Sequence, residues 1–179
     1  GVSEHEQVRA LFEFVDREQG GLDVLINNAG AGIFAKVSQI TLAEWDKMIQ
    51  TNLNSAFYCS REALSRFENR GAGYIVNISS LAGRNSFAGG GAYHASQFRL
   101  NGFSEALLLD TRYDNVRVST VLPGSVATEF GGKEGSADLG EDWKGHPEDV
   151  AAGGRTRRAR PARTTGSQVE IRPAKPKRS

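Results

Sequence analysis

An α/β fold, a parallel sheet with helices packed on its faces, follows from three features of the sequence. Three short apolar runs, Leu22–Ile26, Tyr74–Ile78 and Val116–Leu122, lack the alternation of a one-sided strand and suit strands covered on both faces. Between them lie segments whose apolar residues recur at three- and four-residue spacing. Each run also ends in a polar or glycine-rich cluster: Asn27–Gly32, Ser79–Ser80 and Pro123–Thr128. Strands alternating with helices pair in parallel, and such sheets bind ligands beyond the carboxyl ends of their strands. The three clusters therefore mark one candidate site.

The elements follow in order. Val8, Leu11, Phe12 and Val15 give Glu6–Glu18 an apolar helical stripe, stopped by Gly20-Gly21. Leu22–Ile26 is the first strand and Asn27–Gly32 its turn. Thr41 with Glu44 three residues on signals a capped helix start. That helix runs from Leu42 to about Asn69, interrupted near Asn52 and stopped by Gly71. Tyr74–Ile78 is the second strand, and a glycine-rich loop (Gly83, Gly89, Gly90, Gly91) leads to a helix over Ala92–Tyr113. Val116–Leu122 is the third strand, closed by Pro123-Gly124. Beyond it, Gly131–Gly145 reads as a lid or a disordered loop. His146–Val150 reads as a helix start, with proline and acids in the first turn. Ala151–Gln168 contains no Val, Leu, Ile, Met or aromatic residue, so it offers no stripe to lay on a sheet. Val169–Ile171 forms a brief final strand ahead of a Pro/Lys/Arg tail. Residues 1–150 are accordingly one α/β domain, and 151–179 an irregular basic segment.

Composition narrows the function classes. The chain has 179 residues, 39% hydrophobic and 24% charged, in the range of one globular domain. It carries no apolar run long enough for a membrane span and no signal-peptide pattern, so a cytoplasmic protein without a membrane partner is expected. One cysteine, Cys59, excludes a disulfide framework, and three scattered histidines (His5, His94, His146) suggest no metal cluster. The net charge of +1 divides into −7 before Arg155 and +8 from there to the end. The basic end has no aromatics for base stacking, so no specific nucleic-acid partner is expected. Phosphate-loop, H-E-x-x-H and G-x-S-x-G motifs are absent, which argues against nucleotide hydrolysis, zinc peptidase and esterase chemistry.

Several polar residues lie where chemistry is expected. Tyr93 and Gln97 share one face of the third helix at i and i+4, and Ser80 sits at a strand end. A tyrosine acts as a general acid toward a carbonyl when a nearby cation brings its pKa down, and the neutral Gln97 is no cation. Taken singly, Tyr93 is equally a helix residue packed on a loop, and Ser80 a strand-end hydroxyl. Asn52 stands inside a helix, where its amide competes for backbone groups, and marks a kink, a water site or an ordinary polar contact. Asn27-Asn28-Ala29-Gly30 is a turn, and Pro123-Gly124 with Thr128 a rigid turn carrying a hydroxyl. Cys59 reads as a small core residue.

Taken together and in order, Asn27-Asn28-Ala29-Gly30, Asn52, Ile78-Ser79-Ser80, Tyr93-His94-Ala95-Ser96-Gln97 and Pro123–Thr128 resemble the short-chain dehydrogenase/reductase family over about residues 5 to 130. The resemblance implies a Rossmann-like sheet with helices on both faces, and NAD or NADP as cofactor. It also implies hydride transfer between the nicotinamide and a small carbonyl or alcohol substrate, and a homo-oligomer built on the long helices. Position by position, it makes Tyr93 the acid/base and Ser80 the group that orients the substrate oxygen. Asn52 would hold a relay water. Asn27, Asn28, Ala29 and Gly30 would shape the strand end beside the adenosine half of the cofactor, with Pro123, Gly124 and Thr128 on its nicotinamide and pyrophosphate side.

The sequence departs from the family in three places. Gln97 stands where the family has the lysine that binds the nicotinamide ribose and lowers the tyrosine pKa, so impaired turnover is expected. The family's glycine-rich loop and first strands are missing ahead of residue 1, which implies an exposed sheet edge and weak NAD(P) binding by the chain. The Arg/Ala/Gly run over Ala151–Gln168 stands where the family has an apolar helix. The competing reading is a non-catalytic remnant of the fold, or an oligomerisation or interaction protein.

Overall fold

The computed structural model describes residues 1–128, 130, 143–158 and 166–176. Helix α1 (His5–Gln19) ends at Gly20, whose φ of 72° is the left-handed conformation that glycine adopts without a Cβ clash. Strand β1 (Val24–Asn27) follows. Helix α2 (Leu42–Ile49) opens with the capping box read from Thr41 and Glu44: the Glu44 amide donates to Thr41 Oγ1 at 3.2 Å, and Thr41 N–H donates to Glu44 Oε2 at 2.8 Å. The predicted interruption near Asn52 is a five-residue π-helical stretch, Gln50–Asn54, rather than a break. The helix widens by one residue per turn there and continues as α3 (Ser55–Arg70). Strand β2 (Gly73–Ile78), a 3₁₀ turn (Leu81–Gly83), helix α4 (Gly91–Thr111) and strand β3 (Val116–Pro123) complete the body.

The sheet is parallel throughout, in the order β1-β2-β3-β4, where β4 is Gln168–Ile171. On one face, Ile75 and Val118 pack with Val8 and Phe12 of α1, Cys59, Ala63 and Phe67 of α3, and Leu107 of α4. Cys59 is thus a core residue, and burial pushes its thiol pKa up. On the other face, Tyr74, Val76 and Val121 meet Val150 and Ile171. Helices therefore cover both faces, which explains why the strand runs read as continuously apolar. Strand β1 is one edge of the sheet, and its Ile26 is 60% exposed.

The helix start read at His146–Val150 extends into α5 (Pro147–Arg158), further into the small-residue run than its lack of an apolar stripe suggests. Small size is what lets it lie close: a Cβ on Gly153 would stand 2.5 Å from Ile171 Cδ1. The lid read over Gly131–Gly145 lies outside the described residues except for 143–145, as do 159–165 of the following run. Among the described residues no helix is long and apolar enough to cross a membrane.

Candidate active site

Beyond the carboxyl ends of β1, β2 and β3, the fold gathers most of the polar residues singled out above. Tyr93 lies one turn into α4, buried at 7% exposure, with the Ser80 side chain that follows β2 close enough to act on its phenol. Burial pushes the phenol above its ordinary pKa, and the Ser80 side chain opposes that rise without reversing it. No charged group contributes to the shift. Ser80 is itself fixed, since its Oγ accepts from the Ala82 amide at 3.1 Å as the cap of the 3₁₀ turn.

Gln97, one turn further along α4, is 4% exposed. Its Oε1 accepts from Ser79 Oγ at 3.0 Å, and its amide nitrogen has no partner among the described residues. Arg99 lies elsewhere, with Leu53, Phe57 and Phe103 along the α3–α4 surface, so it brings no charge to Tyr93.

Asn52 ties three elements together. Its Oδ1 accepts from the Ala31 amide at 2.7 Å, and its Nδ2 donates to Ala31 O and Ser96 Oγ, both at 2.9 Å. Ser96 in turn donates to Tyr93 O at 2.8 Å. The π-helical stretch thus presents an amide that clamps the loop after β1 to α4. Replacing Asn52 with Ala removes three bonds, two to the partly buried Ala31 backbone and one to the buried Ser96, so unfolding free energy should drop by about 2–4 kcal/mol. Urea titration measures this, and a loss below about 0.5 kcal/mol would leave the clamp without energetic weight.

The remaining predicted residues divide by environment. Asn27 is internal: its Nδ2 donates to Asn77 Oδ1 at 2.8 Å and Ser60 Oγ at 3.2 Å, while Asn77 donates to Ser104 Oγ at 2.8 Å. This chain staples β1, α3, β2 and α4, and leaves Asn27 a role in shaping the strand end. Asn28, Ala29 and Gly30 are exposed, and a Cβ at Gly30 would meet nothing closer than 3.7 Å, so this backbone is open to a ligand. Gly124 ends β3 by donating its N–H to Ile171 O at 2.8 Å, just after Pro123, and Thr128 is exposed.

Sequence reasoning missed His94 and three phenylalanines. His94 is 7% exposed, and its Nε2 accepts from the Phe87 amide at 2.9 Å while Nδ1 lies 2.7 Å from Ala82 O. These contacts hold the loop between β2 and α4. Gly90 makes room for it, since a Cβ there would stand 2.4 Å from Nε2. Phe34 and Phe130 lie against the Tyr93 ring with centroids 5.4 and 5.6 Å away, and Phe87 lies 5.8 Å from Phe34. Their positions on irregular loops carry no periodicity, so no sequence pattern announces them.

Comparison with known proteins shows the family. The family described as short chain dehydrogenase matches residues 1–138. Acetoacetyl-CoA reductase of Cupriavidus necator is 38% identical over 129 residues, covering 72% of this chain and 52% of that protein. Sepiapterin reductase of Chlorobaculum tepidum is 32% identical over 172 residues, covering 96% of this chain and 70% of that protein. The closed form of serine dehydrogenase complexed with NADP+ superimposes with a TM-score of 0.88 at 29% identity, covering 96% of this chain and 73% of that one. The chain thus spans about half the length of the first of these relatives and under three quarters of the others. With its family match over residues 1–138 and its parallel sheet, the chain belongs to the short-chain dehydrogenase/reductase family.

Proposed function

We propose that the protein is an NAD- or NADP-dependent oxidoreductase that moves a hydride between the nicotinamide and a small carbonyl or alcohol substrate, and that Gln97 makes it slow. The observation that carries this reading is the approach of the Ser80 side chain to the buried Tyr93 phenol beyond the carboxyl end of β2. In this reading one substrate oxygen meets both hydroxyls.

The surrounding residues fit the nicotinamide-ribose end of such a cofactor. The exposed Thr128 and the amide nitrogen of Gln97, which has no partner among the described residues, supply hydrogen-bonding groups there, and the exposed backbone of Asn28–Gly30 lies toward the adenosine half. Serine dehydrogenase, with a similar fold, holds NADP+. When bound, the cofactor supplies or accepts the hydride. In the reductive direction Tyr93 gives its hydroxyl proton to the substrate oxygen, while Ser80 holds that oxygen through a hydrogen bond. The raised phenol pKa keeps Tyr93 protonated, the form an acid needs, but leaves the phenolate formed on proton transfer without a stabilising charge. Asn52 spends both amide hydrogens on Ala31 and Ser96, so a relay water would be held through an oxygen acceptor there.

A second copy of the chain is proposed to cover the α3–α4 surface, where Phe57 and Phe98 are 44% and 45% exposed. Oxidation of NADPH and NADH with a panel of ketones and aldehydes, followed by absorbance, tests the catalytic reading. Slow but ketone-dependent oxidation is expected. Its complete absence, together with no gain on restoring a lysine at position 97, would favour the non-catalytic reading instead.

A further inference from the structure

The mouth around Tyr93 has a chemical character of its own. Phe34, Phe87 and Phe130 are 46%, 51% and 47% exposed, and they stand together rather than scattered. Phe34 meets the Tyr93 ring edge-on at 79°, and Phe130 lies tilted on it at 55°. Phe87 completes the row through Phe34. Single exposed aromatics are ordinary on a protein surface, but a contiguous aromatic rim beside a convergent pair of hydroxyls is the composition of a small-molecule pocket. Half the surface of each ring is left for something else to cover.

The row is held rigidly. Phe87 cannot swing freely, because its amide is bonded to His94 Nε2 and its ring meets the imidazole edge-on at 4.4 Å. Phe34 is confined by its neighbours, since a Cβ on Gly32 would stand 3.1 Å from its ring and 2.6 Å from that of Phe130. The Ser80 and Tyr93 hydroxyls beside this row are uncharged. Neither that pair nor the rings offer a cation that would repay the desolvation of a carboxylate or phosphate.

We infer that Phe34, Phe87 and Phe130 form a substrate subsite for an uncharged carbonyl compound whose carbonyl is joined to a planar apolar ring, an aryl ketone or its alcohol, in preference to a keto acid. The inference rests on the reading that Ser80 and Tyr93 receive the substrate oxygen. A ring entering the mouth stacks on or against the phenylalanines, and its carbonyl then reaches the two hydroxyls.

Binding to the intact protein tests this without any turnover. Saturation-transfer NMR with acetophenone, pyruvate and 2-butanone as probes should show transfer to the ring protons of acetophenone and little to the other two. Phe87→Ala and Phe34→Ala should each weaken acetophenone about 2- to 10-fold, the range measured for one aromatic pair. Phe87→Leu, which keeps apolar bulk at a half-exposed position, should lose most of the same affinity if the ring face matters. His94→Ala should weaken binding as well, and should add little once Phe87 is Ala, because it acts through Phe87. Circular dichroism verifies that each variant is folded. Pyruvate binding as well as acetophenone, no acetophenone binding, or phenylalanine variants that leave its affinity unchanged would each overturn the subsite. The two readings fail separately: acetophenone binding that depends on Phe87, with no NADPH oxidation even after Gln97→Lys, sinks the reductase and keeps the subsite. Turnover of keto acids with no acetophenone binding does the reverse.

Discussion

Gln97→Lys should raise the rate of NADPH-dependent ketone reduction by on the order of 10²-fold. The size follows from the surroundings of Tyr93. Its phenol is buried and pushed up, with a neutral hydroxyl from Ser80 as the only opposing influence. A cation one helical turn away, within about 4–6 Å, lowers such a pKa by about 1–3 units. Each unit is about tenfold in the stability of the phenolate left after proton transfer. Position 97 has the right geometry, because its side chain already lies on the Tyr93 face of α4 and is held by Ser79. A lysine there can donate to the same Ser79 oxygen. The cost is a buried ammonium in place of a neutral amide at a site only 4% exposed, so a lower melting temperature is expected alongside the faster rate.

The pH dependence has a definite sign. A phenol whose folded pKa is raised contributes stability that is fully present below its unfolded value, about 10, and lost as pH rises beyond it. In catalysis the same shift leaves reduction flat through neutral pH and moves alcohol oxidation, which needs the ionised phenol, to the alkaline side. Gln97→Lys should move that alkaline limb toward neutrality. An unchanged limb with an unchanged rate would show that charge at position 97 does not act on Tyr93.

How much of this was legible in the sequence varies with the kind of signal. The strands and long helices were, because each is a continuous apolar run or a three-and-four stripe that one packing arrangement satisfies, as with Ile75 and Val118 against α1 and α3. The capping box at Thr41 and Glu44 was legible for a similar reason, since both partners lie within four residues. Asn52 was noticed as an oddity, but the sequence does not say that its amide reaches Ala31, 21 residues away, or Ser96, 44 residues away. The same holds for Asn27, whose partners Ser60 and Asn77 lie in other elements. Helix α5 was legible only at its start, because contact through Gly153 depends on small size rather than on hydrophobic patterning. The aromatic rim left no trace for a different reason: Phe34, Phe87 and Phe130 stand on loops, and only the folded sheet brings them to one mouth.

Tyr93→Phe should abolish the proton transfer and lower the reduction rate by about 10²- to 10⁴-fold. The ring remains, so the contacts with Phe34 and Phe130 persist, and ketone binding should change far less than turnover. A fall in kcat and kcat/KM together, with little change in KM, is the signature of an interaction made in the transition state. The substitution also decides what a lysine at position 97 does. If that lysine acts by stabilising the phenolate, its gain requires the Tyr93 hydroxyl, and Gln97→Lys should yield little in a Tyr93→Phe background. A lysine that served chiefly to hold the cofactor ribose would give its gain in both backgrounds. The cycle of four proteins therefore separates an electrostatic role from a binding one, and strong non-additivity is the expected result. Equal gains in both backgrounds would place the effect of position 97 on cofactor binding and leave the slow rate of the Gln97 protein to be explained by weak cofactor affinity rather than by an unassisted phenol.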